Sequence, residues 1–229
     1  FYGIGLKIYD LLAGSHGLGR TEFLSRHQTL QCLPGVQPAG LVGGVKYWDG
    51  QFDDARVALA LARTAAAQGA LVINHCEVKG LIHEAGRVVG LTCEDTETRE
   101  ALNVRARCVI NATGVWVDGL RQMDGDALGR PARPMVAPGQ GVHLVVDREF
   151  LPGDHALLVP KTRDGRVLFA VPWLGKLILG TTDTPRHDLA LEPEPFGHEV
   201  AFILNESARY LRRAPQRADV RSCWVGLRP

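Results

Sequence analysis

The chain has 229 residues, of which 45% are hydrophobic, so it can bury the core of one large domain or two small ones. Its 26 basic and 25 acidic side chains nearly cancel, which leaves a formal net charge of +1. This balance provides no overall field that would attract nucleic acid or an acidic membrane surface. No run of about 18 apolar residues predicts a transmembrane helix.

The five cysteines and eight histidines follow no metal-binding spacing. The sequence contains no CxxC pair and no HExxH motif, so we expect no metal site. An odd number of thiols and the absence of a recognisable signal peptide favour a reducing, cytoplasmic location. The chain begins at Phe1 in an apolar stretch and ends at Pro229 directly after a strand-like run. We interpret it as an internal part of a larger protein.

The first 133 residues predict helices that alternate with strands. The predicted helices are 2–12, 25–33 and 55–68, the last capped by Asp53 or Asp54, and the predicted strands are 41–48, 70–73 and 101–110. Residues 77–83 and 87–93 flank the turn Glu84-Ala85-Gly86 and predict a hairpin. This order fits part of a nucleotide-binding layer interrupted by a β meander.

From Pro134 onward the sequence predicts a largely antiparallel sheet. Its short strands are 141–146, 156–159, 166–171, 177–180 and 220–225, and an amphipathic helix is predicted at 199–212. We therefore predict a mixed α/β fold with two domains, residues 1–133 and 134–229. The boundary falls in the Pro- and Gly-rich stretch 125–138.

The sequence contains no glycine loop of the type that cradles phosphate. Gly3-Ile4-Gly5 and Gly17-Leu18-Gly19 both lack the third glycine and follow no strand. The turn Asn111-Ala112-Thr113-Gly114 differs, because it follows an apolar strand and its small residues let a backbone approach a ligand. Tight turns without a ligand use the same residues, so the turn alone does not indicate a site.

Four polar residues at strands of the second domain are candidate ligands for an anion. They are His143 inside an apolar strand, Arg166 before one, Thr182 after one, and Arg228 between a leucine and a proline. A guanidinium suits an oxyanion because it offers a planar, permanently charged fork. By spacing alone His143 is more typical of a satisfied core histidine, and the others are also typical of exposed arginines and an ordinary turn residue.

Six runs, in this order, resemble the FAD-dependent glycerol-3-phosphate dehydrogenases. They are DGQFDDAR (49–56), VINATGVW (109–116), GQGVHLVV (139–146), PKTRDGRVLFAVPW (160–173), GTTDTP (180–185) and GLRP (226–229). The resemblance covers nearly the whole chain. Two departures are Val115, where proline is commoner, and Gln140, where the family often has a basic or small residue.

The resemblance implies part of an FAD-binding layer followed by an antiparallel, substrate-binding cap with flanking helices. It also implies oxidation of glycerol 3-phosphate to dihydroxyacetone phosphate by hydride transfer to FAD. Arg228 and Arg166 would bind the anionic substrate or polarise its oxygen, and Thr182 would be a further substrate ligand. His143 would hydrogen-bond the reacting oxygen, and it is the best candidate for the base. His143 and Arg228 are thus the predicted catalytic residues.

For the cofactor, the resemblance implies that Asn111, Ala112, Thr113, Gly114 and Gly226 border FAD. The GxGxxG segment and the C-terminal segment of the family are not in this sequence. We therefore expect FAD in the full-length parent, and we expect the chain by itself to be colourless and inactive. A flavin absorbance band that survives desalting would contradict this expectation.

In this family electrons usually pass to membrane quinone and in some relatives to oxygen. The parent is accordingly expected at the inner face of the cytoplasmic membrane, and a homodimer is a further expectation.

Two alternative functions stay open. One is a related amino-acid or 2-hydroxy-acid oxidase, which would use an arginine to bind a carboxylate, and the other is a non-enzymatic binding module. The two arginines and the Gly-Thr-Thr-Asp run favour the phosphate substrate.

Overall fold

The computed structural model describes residues 2–229. Contacts within the chain divide them into two compact units, one made of residues up to 50 together with 138–228, and one made of residues 51–137. The sequence analysis instead grouped the first 50 residues with those up to 133. Because the units are defined by contacts within this chain alone, the domains 1–133 and 134–229 stay a prediction.

Two helices and a two-stranded sheet form the early part of the first unit. Helix α1 spans Tyr2–Ala13, strand β1 Glu22–Ser25, helix α2 Arg26–Cys32 and strand β2 Gly43–Lys46. Ser25 caps α2, because its hydroxyl accepts from the Gln28 N–H at 3.3 Å while the Gln28 side chain accepts from the Ser25 N–H at 2.9 Å. Both predicted helices are confirmed, and the strand predicted at 41–48 is shorter than expected.

The second unit begins with the helix that the sequence indicates most clearly. Helix α3 spans Asp54–Ala67, and the Asp53 carboxylate accepts from the Arg56 N–H at 3.0 Å, as an N-cap does. A three-stranded antiparallel sheet follows, with β3 (Cys76–Glu84), β4 (Arg87–Asp95) and β5 (Ala101–Arg105), and then helix α4 (Val117–Ala127). The predicted hairpin is confirmed.

Two strand predictions in this unit are wrong. Residues 70–73 form no strand, and the strand predicted at 101–110 ends at Arg105. Their apolar side chains are exposed, Leu71 by 85% and Ile110 by 83%. Apolar runs of this kind form strands when neighbouring strands hydrogen-bond to them, and no described strand pairs with either run.

The later part of the first unit is a six-stranded antiparallel sheet with one helix. Its elements are β6 (Gly139–Asp147), β7 (Leu157–Val159), β8 (Leu168–Trp173), β9 (Lys176–Gly180), β10 (Thr184–Pro185), α5 (Gly197–Tyr210) and β11 (Ser222–Arg228). The order is β10-β6-β9-β8-β7, and β11 also pairs with β6. Strand β6 is therefore central, with β11 along one edge and with β9 and β10 along the other.

The sheet has two unlike faces, because alternate residues of a strand point to opposite sides and directly opposed residues share a side. One face, called the core face here, carries Val142, Leu144, Leu177 and Leu179, all fully buried. Helix α5 covers this face. It therefore contains the main hydrophobic core of the described residues.

The opposite face, called the histidine face here, carries His143 and its two register partners. Trp224 of β11 lies opposite His143 on one side, and Gly180 of β9 lies opposite it on the other. Phe169 of β8 continues the row beyond Gly180. Trp224 and Phe169 are 43% and 37% exposed, so this face is only partly covered.

The predicted fold class is confirmed: the structure combines helices with antiparallel sheets in a mixed α/β arrangement. Across residues 2–229 no helix has both the length and the apolar character needed to cross a membrane.

Candidate active site

The histidine face holds the His143 ring between two neighbours. On one side the Trp224 ring stacks on it, with centroids 5.4 Å apart and planes at 18°. On the other side lies Gly180, where an added Cβ would stand 2.3 Å from Cδ2 of His143. Only a glycine at position 180 leaves room for the imidazole in this position. The two neighbouring strands thus fix the orientation of the ring.

Burial lowers the pKa of His143, and the positive charge of Arg228 lowers it further. Both causes disfavour the imidazolium form. The ring is therefore neutral at neutral pH, and a neutral imidazole has a nitrogen that can accept a proton. This state agrees with the predicted role of His143 as a base.

Arg228 ends β11, close to His143 and on the same side of the sheet. Its Nη2 donates to the Thr182 carbonyl at 2.5 Å and lies 3.6 Å from the Asp183 carboxylate. The guanidinium lies over Gly141, where an added Cβ would be 2.6 Å from Nη2. The side chain is 50% exposed, so part of its fork of donors faces outward.

Thr182 lies beside this pair, and its hydroxyl is hydrogen-bonded within the protein, so its predicted role as a substrate ligand stays a prediction. The residue is fully buried. Its hydroxyl accepts from the Val142 N–H at 3.0 Å and donates to the Glu199 carboxylate at 3.0 Å. These two bonds use the hydroxyl within the protein, and only the Thr182 carbonyl reaches Arg228.

Arg166 is not brought to the same place as Arg228. Its guanidinium pairs with Asp164, with Nε 2.6 Å from Oδ2, and lies over the Phe202 ring at 4.2 Å. Phe202 belongs to α5, which covers the core face, so Arg166 lies beside the helix rather than on the histidine face. The predicted role of Arg166 as a substrate ligand stays untested, and the geometry of this unit does not support it.

Gly226 lies on the histidine face opposite Gly141. It is exposed, and an added Cβ there would meet no atom within 4 Å. Packing within the chain therefore does not require a glycine at this position. Open space above a glycine allows a flat group to approach the backbone closely, which fits a residue that borders a cofactor.

The Asn111–Gly114 turn belongs to the second unit. The Asn111 amide donates to the Val117 carbonyl at 2.9 Å and accepts from the Thr113 hydroxyl at 2.8 Å. Gly114 has a φ of +58°, a left-handed conformation that favours glycine. The Asn111 side chain thus holds the turn together, while Ala112 and Gly114 are exposed. The turn can meet a cofactor through its backbone.

Gly226 in the first unit and the turn in the second unit each have, taken separately, the open backbone expected at the border of a flavin, and neither has a phosphate cradle. Gly226 and the Asn111–Gly114 turn offer open backbone. The described residues show no glycine loop that leads from a strand into a helix. No group of three or more His, Cys, Asp or Glu side chains in residues 2–229 could hold a metal ion. FAD retention by this chain alone stays a prediction.

Sequence reasoning missed a buried polar network behind Arg228. Glu199 and Gln140 are both fully buried, and Gln140 Nε2 donates to Glu199 at 2.8 Å. Arg186, only 8% exposed, donates to Gln140 and pairs with Asp188. The one available signal was Gln140, which stands in an apolar strand and departs from the family pattern.

Residues 5–229 match the family model described as FAD dependent oxidoreductase. The chain belongs to this family. The rat mitochondrial glycerol-3-phosphate dehydrogenase is 43% identical over 237 residues, which cover 100% of this chain and 32% of that protein. The chain thus spans about a third of the length of this relative. The resemblance predicted from the six sequence runs is confirmed.

Solved structures agree with this membership. The glycerol-3-phosphate dehydrogenase of Bacillus halodurans, solved in complex with FAD, is 34% identical with a TM-score of 0.77. The match covers 90% of this chain and 41% of that one. A glycine oxidase of Bacillus cereus covers the whole chain and 58% of its own, at 20% identity and a TM-score of 0.68. This second likeness shows the fold alone.

Proposed function

We propose that the full-length protein containing this chain oxidises glycerol 3-phosphate to dihydroxyacetone phosphate with FAD. This proposal is carried by the position of His143 and Arg228 on the histidine face, where a half-exposed guanidinium lies beside an imidazole whose pKa is lowered. The relatives of highest identity above are named glycerol-3-phosphate dehydrogenases. FAD, when bound, supplies the acceptor for the hydride removed from C2 of the substrate.

The residues of this chain would orient the substrate and take its proton. Arg228 has outward-facing donors that can bind an oxygen of the substrate. His143 then accepts the proton of the C2 hydroxyl while the hydride leaves that carbon. The substrate thereby loses two electrons and two protons in total and becomes a ketone. Trp224 and Gly180 keep the imidazole from turning away.

The main alternative is an oxidase for an amino acid or a 2-hydroxy acid. The glycine oxidase likeness shows that the same fold carries that chemistry elsewhere. In the sequence, two arginines and the Gly-Thr-Thr-Asp run favour the phosphate substrate, but Arg166 lies beside α5 and away from Arg228. The preference for glycerol 3-phosphate therefore depends on the identity to the named relatives and not on a second arginine.

An anaerobic flavin-reduction experiment tests the proposal. The full-length protein is mixed in turn with glycerol 3-phosphate, glycerol, glycine and lactate, and the loss of oxidised flavin absorbance is followed. We expect rapid bleaching only with glycerol 3-phosphate. Bleaching by glycine or lactate would favour the oxidase alternative. No bleaching by any of them, with flavin bound, would favour a non-enzymatic binding module.

We also propose quinone as the electron acceptor, with the parent held peripherally at the inner face of the cytoplasmic membrane. This proposal rests on the family resemblance, and the rat relative is named as mitochondrial. Reoxidation of the reduced protein by a soluble quinone, measured against reoxidation by oxygen, tests it. Faster reoxidation by oxygen than by quinone would overturn it.

A homodimer stays a prediction, for which light scattering of the full-length protein is the direct measurement.

A further inference from the structure

Glu199 is a fully buried carboxylate near the start of α5. It accepts four hydrogen bonds: from the Thr184 hydroxyl at 2.6 Å, the Thr182 hydroxyl at 3.0 Å, the Gln140 amide at 2.8 Å and the Phe196 N–H at 2.9 Å. Burial alone would raise the pKa of this group, but the four donors outweigh it and the pKa is lowered. The carboxylate is therefore ionised in the interior.

Helix capping explains only one of these four bonds. A Glu in the first turn of a helix commonly accepts from the N–H of the capping residue, which here is Phe196. The other three donors come from outside the helix: Gln140 from β6, Thr182 from the segment that links β9 to β10, and Thr184 from β10 itself. Burying a charge is costly unless it is fully paired, and these donors satisfy the carboxylate while connecting α5 to β6 and to the chain around β10.

The segment that Glu199 binds is a bulge at the edge of β6. His143 pairs with Gly180 and Gln140 pairs with Thr184, so residues 181–183 face only residues 141–142 of β6. Val142 has no strand partner on this edge. Its N–H instead donates to the Thr182 hydroxyl at 3.0 Å. The hydroxyl that Glu199 accepts from is thus the same one that ties the bulge to β6.

The bulge also carries the groups that contact Arg228. The Thr182 carbonyl accepts from Arg228 Nη2 at 2.5 Å, and the Asp183 carboxylate lies 3.6 Å from the same nitrogen. A continuous chain of contacts therefore runs from Glu199 through Thr182 to the guanidinium. The bulge thus supplies both contacts that hold this guanidinium nitrogen.

We propose that Glu199 is a positioning residue for Arg228, acting through Thr182 to hold the bulge beneath the guanidinium. Glu199 does not touch the substrate. This inference rests on the proposed function, because it assumes that Arg228 binds the substrate. It adds a residue of α5, the helix that covers the core face, to the site on the histidine face.

The test compares Glu199→Gln with Glu206→Gln in the full-length protein. Glu206 is the suitable control, because it is a second buried Glu of α5, only 5% exposed, and it bonds to Arg209 and the Arg163 N–H rather than to the bulge. We expect Glu199→Gln to lower kcat/KM by roughly 10- to 100-fold, the range found when a supporting partner of a site residue is removed. Glu206→Gln should change it by less than about twofold, although both variants lose stability.

A double-mutant cycle separates positioning from a general loss of structure. If Glu199 acts through Arg228, the double variant Glu199→Gln/Arg228→Lys should lie within about threefold of Arg228→Lys alone. Multiplicative losses would overturn the inference and leave the proposed function intact. If Arg228→Lys itself does not alter the oxidation of glycerol 3-phosphate, the inference fails because Arg228 does not bind the substrate.

A second pair of variants covers the case in which Glu199→Gln does not fold. Thr182→Val removes the hydroxyl while keeping the shape, and Thr182→Ser keeps the hydroxyl. We expect Thr182→Val to show the same loss of kcat/KM as Glu199→Gln and Thr182→Ser to restore most of it. Equal activity of the two variants at position 182 would contradict a role for the hydroxyl and overturn the inference.

Discussion

The two faces of the six-stranded sheet are made from the same strands but have opposite properties. The core face is a continuous apolar surface under α5, with Leu144, Leu177 and Leu179 fully buried. The histidine face combines an imidazole, a guanidinium and several glycines, and it is partly exposed. Strand alternation thus lets one strand contribute both to stability and to a site. Changes on one face should affect folding, and changes on the other should affect chemistry.

The largest expected effect is on the core face. Leu179→Ala should lower the free energy of unfolding by about 2–5 kcal/mol, because it removes a fully buried side chain and leaves a cavity. Ile178→Ala is the comparison, since Ile178 is its neighbour in β9 but lies on the histidine face and is only half-buried. Urea-induced unfolding of the full-length protein measures both. Equal losses would show that the two faces are packed alike.

On the histidine face, Arg228→Lys should lower kcat/KM by roughly tenfold to several hundredfold. Lysine keeps the charge but loses the bidentate fork, and a charged bidentate contact contributes about 1.5–3 kcal/mol. Steady-state kinetics with glycerol 3-phosphate give the measurement. Arg221→Lys is the control, because Arg221 immediately precedes β11 and pairs with Asp147, away from the bulge. Unchanged kinetics would mean that Arg228 is structural.

Gly180→Ala should displace the His143 ring, since the new Cβ would stand 2.3 Å from Cδ2. We expect kcat/KM to fall roughly tenfold, because a shift of about 1 Å at a reacting group is costly. Gly197→Ala at the start of α5 is the control, where an added Cβ meets nothing within 4 Å. An active Gly180→Ala variant would show that the ring position does not matter for the reaction.

The smallest expected effect is a shift in the pH profile. Because the pKa of His143 is lowered by burial and by Arg228, kcat/KM should be constant near neutrality and fall only at lower pH, as the ring becomes protonated. Arg228→Gln removes the neighbouring positive charge, so its acid limb should move to higher pH. Arg221→Gln should leave the limb in place. An acid limb that persists in His143→Gln would exclude His143 as its source.

The contrast with residues 51–137 shows where sequence patterns are sufficient. The hairpin and α3 follow from local signals, a turn at Glu84-Ala85-Gly86 and an N-cap at Asp53. The strand predicted at 70–73 and the second half of the strand predicted at 101–110 depend on pairing with other strands, and no described strand supplies it. Local patterns therefore correctly predicted the helix and the hairpin, whose hydrogen bonds form between residues close in sequence. They failed for single strands that must pair with a strand distant in sequence.

By itself the sequence determined the family and the antiparallel sheet that follows residue 134. It also indicated His143 and Arg228 as candidate site residues, because motifs and alternation are local properties of the chain. The tertiary structure decided which of those candidates meet. It brought His143 and Arg228 to one face, placed Arg166 beside α5 and turned the Thr182 hydroxyl inward. It also added Glu199 of α5, which lies 17 residues after Thr182 in the sequence and accepts a hydrogen bond from its hydroxyl. Side-chain direction and burial depend on register and packing, which link residues that are distant in sequence.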